Sequence, residues 1–176
     1  MSTIDTQAIP AGTWSADLVH SNVSFAIDYM AGTFTGTFSD IDAGVTDGVL
    51  TGSANVASVQ VKDPNLEAHL QSPDFFDAER HPELTFRSTS IERSGDELKI
   101  DGELTIKGHT EPVEITGKIS DPIADPYGGT RFGLKLETTV DRERFGISWN
   151  APLPNGEPAL ASEVVLTAEL QLAKQV

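Results

Sequence analysis

Apolar and polar residues alternate with a period of two along most of this chain. In residues 98–107 ("LKIDGELTIK") the apolar positions are Leu98, Ile100, Leu104 and Ile106. The same alternation recurs in residues 22–29, 113–120, 131–141 and 163–173. Such a pattern predicts strands with one buried and one solvated face, which is typical of antiparallel sheets.

Turn-forming residues separate these segments. "SGDE" (94–97) and "KGHTEP" (107–112) predict two hairpins, and the segments 121–129 and 150–159, rich in Pro and Gly, predict longer loops. The spacing gives about eight to nine strands, with no internal repeat and no sign of a domain boundary.

One segment, 63–72 ("DPNLEAHLQS"), is typical of a short helix. Asp63 is a suitable N-cap, Pro64 suits the first helical position, and Leu66 and Leu70 are spaced to share a face. We expect about two turns, ending before Pro73.

These elements predict an all-β fold, namely an extended antiparallel barrel of about eight strands with one short helix. A barrel of this size either fills its interior with side chains or holds one small ligand. Gly36, Gly102 and Gly117 fall at inward-facing positions, where glycine either lets the sheet bend or leaves interior space. We favour the bends, although the two interpretations are compatible.

The charge balance narrows the range of partners. The chain has 27 acidic and 12 basic residues, a net charge of −15, and no cysteine. Nucleic-acid binding and electrostatic docking on anionic membranes are therefore not expected, and disulfides and cysteine-based metal sites are excluded. The N-terminal residues lack the features of a signal peptide, and no run approaches the ~20 apolar residues of a membrane span. We expect a cytoplasmic protein without stable membrane insertion.

Catalytic motifs are absent from the sequence. There is no nucleophile elbow, P-loop or dinucleotide-binding fingerprint, so we predict neither an enzyme nor a cofactor. A triad of His20, Asp17 and a serine would have to assemble in space, and we disfavour it. His69 and His81 lie near the acidic residues of 74–79, but acidic loops are usually solvated, and we predict no metal site.

Two arginines and a pair of phenylalanines are unusual in their surroundings. Arg142 and Arg144 lie beside apolar residues in "VDRERFGISW" (140–149). A guanidinium there either holds an anionic or carbonyl headgroup or forms a surface ion pair with Asp141 or Glu143, and we favour the ion pair.

The phenylalanines, Phe75 and Phe76, lie in the irregular segment between Pro73 and Pro82. The strands already supply a sheet face, so these two rings are not needed to define one. We expect them to close or line one end of the barrel.

Five segments, taken in order, resemble the YceI-like family: 12–27, 32–45, 69–88, 100–115 and 141–148 ("DRERFGIS"). The resemblance runs from Trp14 to about Leu172. We therefore assign one YceI-like barrel domain to residues 12–174 and expect residues 1–11 to form a flexible extension. The resemblance implies a lipocalin-like barrel around a long apolar channel that binds isoprenoid chains such as quinones or polyprenyl phosphates. It also implies a homodimer.

The chain departs from the family in two respects. Many members carry a secretory leader, which we do not expect here. Many also carry a "HSxVxFxVxH" pattern, whereas the matching segment here, "HSNVSFAIDY" (20–29), ends in Asp28 and Tyr29. A headgroup preference that depends on that histidine does not carry over to this chain.

Our leading hypothesis is non-catalytic binding or carriage of a long isoprenoid-type lipid inside the barrel. The alternatives are a structural or stress-related barrel without a physiological ligand, and a lipid-modifying hydrolase. Strand phase predicts a channel lined by Phe25, Ile27, Phe34, Phe38, Phe86, Leu104, Ile106, Ile115, Phe132, Leu134 and Leu136. Phe75 and Phe76 complete the predicted channel residues by closing or lining one mouth. The headgroup candidates are Arg142, Arg144 and His69.

Overall fold

The computed structural model describes residues 8–175. In chain order its strands are β1 (Thr13–Ala16), β2 (Asn22–Tyr29), β3 (Gly32–Phe38), β4 (Ile41–Thr46), β5 (Val49–Asn55), β6 (Val59–Gln60), β7 (Glu83–Ser94), β8 (Glu97–Ile106), β9 (His109–Ile119), β10 (Ile123–Ala124), β11 (Thr130–Asp141) and β12 (Leu160–Lys174). Helix α1 spans Pro64–Gln71, and short 3₁₀ segments span Val56–Ser58 and Arg142–Phe145.

Eight of these strands close an antiparallel barrel, in the order β1-β4-β5-β7-β8-β9-β11-β12 and back to β1. Strand β12 makes the closure because it is 15 residues long and has three partners. It pairs with β11 on one edge, and on the other edge with β2 and then with β1. Strands β2, β3 and β6 extend the sheet from β12 at one end of the barrel. The predicted all-β barrel is confirmed.

The predicted hairpins and the helix are confirmed as well. Strands β7 and β8 meet at the "SGDE" turn, and β8 and β9 meet at a turn in which Lys107 and Gly108 both have positive φ. The Asp63 carboxylate caps α1 by accepting a hydrogen bond from the amide of Asn65 at 2.8 Å. The helix directs Leu70 into the core, where it is buried.

The interior divides into two apolar clusters, one toward each end of the barrel. The first lies beneath α1 and includes Phe25, Phe38 and Phe145. The second surrounds Trp14, whose ring packs edge-to-face on Phe132 with centroids 4.6 Å apart.

The second cluster includes Ile9, which is only 4% exposed. The packed region therefore begins before residue 12, within the expected N-terminal extension, whereas residues 1–7 of that extension lie outside the described residues. No helix between residues 8 and 175 is long and apolar enough to cross a bilayer.

The barrel wall is incomplete between β9 and β11. The two strands pair only from Leu134 with Ile119 to Glu137 with Thr116. Beyond that point, residues 109–115 of β9 and 138–141 of β11 are unpaired with each other, and we call this stretch the seam. Each strand remains paired with its other neighbour along the whole seam, as far as His109 with Ile106 and Asp141 with Glu163.

Two residues of the sequence account for the seam. In a two-residue hairpin the two residues that flank the turn are hydrogen-bonded to each other, here Ile106 and His109. Every second residue of β9 from His109 onward therefore directs its backbone N–H and C=O groups to β8, and the residues between them direct theirs to β11. Pro112 is one of the residues whose backbone faces β11. Proline has no amide hydrogen to donate there. Gly117 marks the opposite limit, because a Cβ at this position would collide with the carbonyl oxygen of Lys135 on β11. The strands thus approach closely at Gly117 and diverge toward Pro112.

Candidate functional site

An apolar cavity of about 60 Å³ lies beneath α1 and the Phe75–Phe76 loop, and we call it the helix-side cavity. Strands β2, β3, β11 and β12 supply most of its wall, because their inward-facing residues alternate with solvated ones. The residues that line it are Phe25, Ile27, Phe34, Phe38, Leu70, Phe75, Phe76, Leu84, Ile106, Val140, Arg142, Ile147, Leu160, Val164 and Leu166.

A second cavity of about 120 Å³ lies further along the barrel, and we call it the central cavity. Its apolar lining includes Val23, Phe38, Leu50, Leu84, Phe86, Leu104, Ile115, Leu136, Leu166 and Leu170. Phe38, Leu84 and Leu166 line both cavities, so these three side chains form the partition between them. An apolar cavity of about 150 Å³ stays dry and accepts a benzene-sized molecule. Each cavity is therefore the size of a small apolar group, and a long chain needs the partition to move.

Two of the inward-facing glycines receive aromatic rings from the neighbouring strand. A Cβ on Gly36 would lie 2.6 Å from the Phe25 ring, and a Cβ on Gly102 would lie 2.5 Å from the Phe86 ring. The interior space beside Gly36 and Gly102 is therefore occupied by aromatic side chains and is not open to a ligand.

An aromatic group covers the outer end of the helix-side cavity. The ring centroid of Phe76 lies 5.7 Å from that of Phe38, and the centroid of Phe75 lies 5.4 Å from that of Trp149. His69 packs edge-to-face on both Phe75 and Trp149, and its Nε2 lies 3.0 Å from a carboxylate oxygen of Asp74. The ring of His69 thus contributes to the cover from α1.

Arg142 is buried at this end of the barrel, with 4% of its surface exposed. Its guanidinium donates to the carbonyl oxygens of Ala161 at 2.8 Å, Ile147 at 2.9 Å and Trp149 at 2.8 Å. Burial lowers the pKa of Arg142 below its ordinary value. Its hydrogen bonds hold the 147–149 segment against the beginning of β12.

The predicted ion-pair partners of the two arginines, Asp141 and Glu143, are wrong. Within the described residues neither arginine forms a salt bridge with Asp141 or Glu143. Arg142 bonds backbone carbonyls instead, and Arg144 is exposed and pairs with Glu111 of β9 at 3.1 Å. The headgroup candidates His69, Arg142 and Arg144 all lie at the α1 end of the barrel but have different partners.

The structure brings eleven of the thirteen predicted channel residues to the cavity walls. Phe132 and Leu134 lie elsewhere, in the cluster around Trp14, because that end of the barrel is filled. Strand phase also marks lining residues that the prediction omitted, such as Leu84, Val164 and Leu166. The alternation of apolar and polar residues is the same in the filled and in the open layers of the barrel. Which layer is filled depends on how the side chains pack.

Within the described residues, His20 and Asp17 do not form the triad considered above. His20 Nδ1 lies 2.8 Å from Asp17 Oδ2, but the other partner of that carboxylate is Arg131, and within residues 8–175 no serine hydrogen-bonds His20. Hydrogen bonds from His20 and from Arg131 hold the pKa of Asp17 well below its usual range. In the same part of the chain no group of three or more His, Asp or Glu residues is placed to hold a metal ion.

Comparison with known proteins places this barrel among a group of related ones. Protein YceI of Escherichia coli O157:H7 is 35% identical over 136 residues, which cover 73% of this chain and 71% of that protein. Protein YceI of Salmonella newport (strain SL254) is 34% identical over 137 residues, with 73% and 72% covered.

Solved structures share the fold. Burkholderia cenocepacia BcnA superposes with a TM-score of 0.75 at 24% identity, covering 91% of this chain and 99% of that one. A polyisoprenoid binding domain from Saccharophagus degradans superposes with a TM-score of 0.71 at 11% identity, covering 92% and 98%. The family model of the YceI-like domain matches residues 14–172, and the chain accordingly belongs to the YceI-like family.

Proposed function

We propose that this protein binds the apolar chain of an isoprenoid-type lipid, of the quinone or polyprenyl phosphate class, inside its barrel and without catalysing a reaction on it. The observation that carries the proposal is the pair of adjoining apolar cavities separated only by Phe38, Leu84 and Leu166. The polyisoprenoid binding domain of the same fold supports the ligand class.

Burial of apolar surface supplies the binding energy in this proposal. An isoprene unit offers no hydrogen-bonding group, and removing a side-chain-sized apolar group from water contributes about 1.5–3 kcal/mol. Moving the partition offsets part of this gain. Leu84 and Leu166 are the residues of the partition that are easier to displace, since both are only half-buried whereas Phe38 is buried. A chain that displaces Leu84 would extend from the central cavity to the Phe76 ring.

The small size of the two cavities favours a second candidate, a barrel with a packed interior and no physiological ligand. The two candidates differ in what the purified protein contains. Solvent extraction of freshly purified protein, followed by mass spectrometry, should find an isoprenoid chain under the first candidate. Under the second it should find none, and the protein should take up neither a labelled quinone nor a labelled polyprenyl phosphate.

Leu84→Ala sharpens this experiment. Removing the side chain joins the two cavities, so the variant should take up more labelled quinone while losing about 2–5 kcal/mol of stability as a core truncation. Leu18→Ala is the matched control, because Leu18 is 55% exposed and lies on neither cavity wall. No copurified lipid, together with no uptake by the wild type or by Leu84→Ala, would refute the proposed function.

A further inference from the structure

The barrel wall is held least firmly at the seam between β9 and β11. Across it the described residues form one side-chain hydrogen bond, from the Thr138 hydroxyl to the Glu114 carbonyl oxygen at 2.8 Å, and no backbone ladder. The strands on both sides keep complete ladders with β8 and β12. The seam can therefore widen without breaking the pairing that holds either strand in the barrel.

The seam borders both apolar cavities. Ile115 and Thr138 line the central cavity at the point where the strands diverge, and Val140 lines the helix-side cavity. Val113, directly across from Val140 in the extrapolated register, is half-buried against the same core. An apolar chain that passed through the seam would reach the two cavities without crossing another layer.

The 3₁₀ segment Arg142–Phe145 closes the seam from one end. Phe145 is 1% exposed and fills the space beside Val140 in the core cluster. Polar contacts at the surface tie the segment to β9 and its turn: Arg144 pairs with Glu111 at 3.1 Å, and Lys107 donates to the Gly146 carbonyl at 3.3 Å. The Arg144 side chain is 60% exposed, and such exposed ion pairs hold weakly.

A second unpaired edge lies on β3, which pairs with β6 only at Thr37 and Phe38. Here α1 and the following loop cover the neighbouring cavity with the buried side chains of Leu70 and Phe75. Opening the barrel at this place exposes apolar surface to water, whereas widening the seam breaks contacts that are already close to solvent. The seam is the less costly of the two openings.

We propose that the seam is the portal through which the apolar chain enters and leaves the barrel, with the exposed Arg144–Glu111 ion pair as its latch. Arg142 and Phe145 stay in place, because both are buried. This inference rests on the proposed function. It places the passage in the side wall, between two strands, rather than at the end of the barrel beneath Phe75 and Phe76.

The absence of cysteine allows a direct test with an engineered disulfide. Glu114→Cys with Thr139→Cys joins the strands across the seam, two positions beyond the last ladder pair and beside the hydrogen bond from Thr138 to Glu114. Thr116→Cys with Glu137→Cys is the matched control, because these residues already pair and the seam beyond them stays free. Mass spectrometry and thiol titration verify each bond. The probe is all-trans-retinol, an isoprenoid whose fluorescence rises in an apolar site, mixed with the protein in a stopped-flow instrument.

We expect the oxidised 114–139 variant to take up retinol at least about tenfold more slowly than after reduction, because binding then requires the strands to separate against a covalent bond. The oxidised 116–137 control should match the wild type. Equal rates before and after reduction of the 114–139 variant would overturn the portal. Equal rates in the locked and reduced variant, together with faster uptake in Phe76→Ala than in the wild type, would place the passage at the barrel end instead.

A variant without a disulfide tests the latch independently. Glu111→Gln removes the charge that Arg144 pairs with, so retinol should associate and dissociate several-fold faster, with a smaller effect on the equilibrium affinity. Asp96→Asn, at an exposed pair with Lys118 near the other end of β9, is the control and should leave both rates unchanged. Unchanged rates in Glu111→Gln would overturn the role of the latch. A wild-type protein that takes up neither retinol nor labelled quinone would overturn the proposed function and the portal together, whereas normal uptake with equal locked and reduced rates would overturn the portal alone.

Discussion

The Phe25 ring occupies the place that a side chain at position 36 would take. The two residues are cross-strand partners on β2 and β3, and a Cβ on Gly36 would lie 2.6 Å from the ring. An alanine must therefore push the ring into the helix-side cavity, whose wall Phe25 forms.

We predict that Gly36→Ala costs about 1–3 kcal/mol of stability, the usual range for overpacking a core, and reduces the uptake of labelled quinone. Urea unfolding and a binding titration measure the two effects. Gly32→Ala, on the same strand, is the control, because nothing lies within 4 Å of a Cβ at that position. Equal stability and uptake in the two variants would show that the Phe25 ring has room elsewhere.

The two phenylalanines of the 72–77 loop should separate a packing role from a ligand role. Phe75 is 8% exposed and contacts Trp149, so Phe75→Ala should cost about 3–5 kcal/mol, and Phe76→Ala somewhat less because Phe76 is only half-buried. The double variant should also lose copurified lipid, because both rings line the helix-side cavity.

Urea unfolding and lipid extraction of the same preparation give the two readouts. Tyr127→Ala, at a ring that is 85% exposed, is the control for loss of an aromatic side chain. A large loss of stability with unchanged lipid content would assign the two phenylalanines a packing role alone.

Arg142 and Arg144 should differ sharply although they are two residues apart. Arg142→Met leaves the carbonyl oxygens of Ala161, Ile147 and Trp149 without a donor. Each unsatisfied buried group costs about 1–3 kcal/mol, so we expect a severe loss of stability in urea unfolding. Arg144→Met removes an exposed ion pair and should change stability by no more than about 1 kcal/mol. Similar effects in the two variants would contradict the structural role of Arg142.

Asp17 should make stability depend on acid pH. His20 and Arg131 hold the pKa of Asp17 below its usual value in the folded protein, so the folded state favours the ionised carboxylate. That contribution is present above the unfolded pKa of about 3.9 and is lost as pH falls toward the lower folded value.

We therefore expect Asp17→Asn to be less stable than the wild type at pH 7, with the difference narrowing below about pH 4. Urea unfolding at a series of pH values from 7 to 3 checks this. Asp121→Asn, at a carboxylate side chain that is 89% exposed, should show a small difference that varies little with pH. A difference for Asp17→Asn that stays constant down to pH 3 would contradict the assignment.

The sequence predicts the barrel well because its signals are local. The alternation in β8 and the cap at Asp63 each depend on residues that are neighbours in the chain, and both elements form where expected. The inward face of each strand follows from the same alternation. The alternation does not show whether a given layer of the barrel is filled or open. Phe132 and Leu134 therefore face inward as expected, but they pack in the cluster around Trp14 instead of lining a cavity.

The partners of the arginines were the least predictable feature. Arg142 bonds backbone carbonyls of residues that are 5 to 19 positions away in sequence, and carbonyl groups leave no mark in an amino-acid pattern. Arg144 pairs with Glu111 of another strand, which only the tertiary fold brings near. Pro112 is consistent with the seam, since proline within a strand indicates an edge that is not hydrogen-bonded. Only the strand order shows that β11 is the strand from which this edge is separated.

Strand β12 also constrains how the chain reaches its native state. Its partners β1 and β2 are separated from it by more than a hundred residues, as in the hydrogen bond between the hydroxyls of Ser24 and Thr167, 143 positions apart. During synthesis the two N-terminal strands therefore leave the ribosome long before the strand that holds them. Such non-local pairing makes folding slow, and a nascent chain stalled before residue 160 would display open strand edges to chaperones and to other copies of itself.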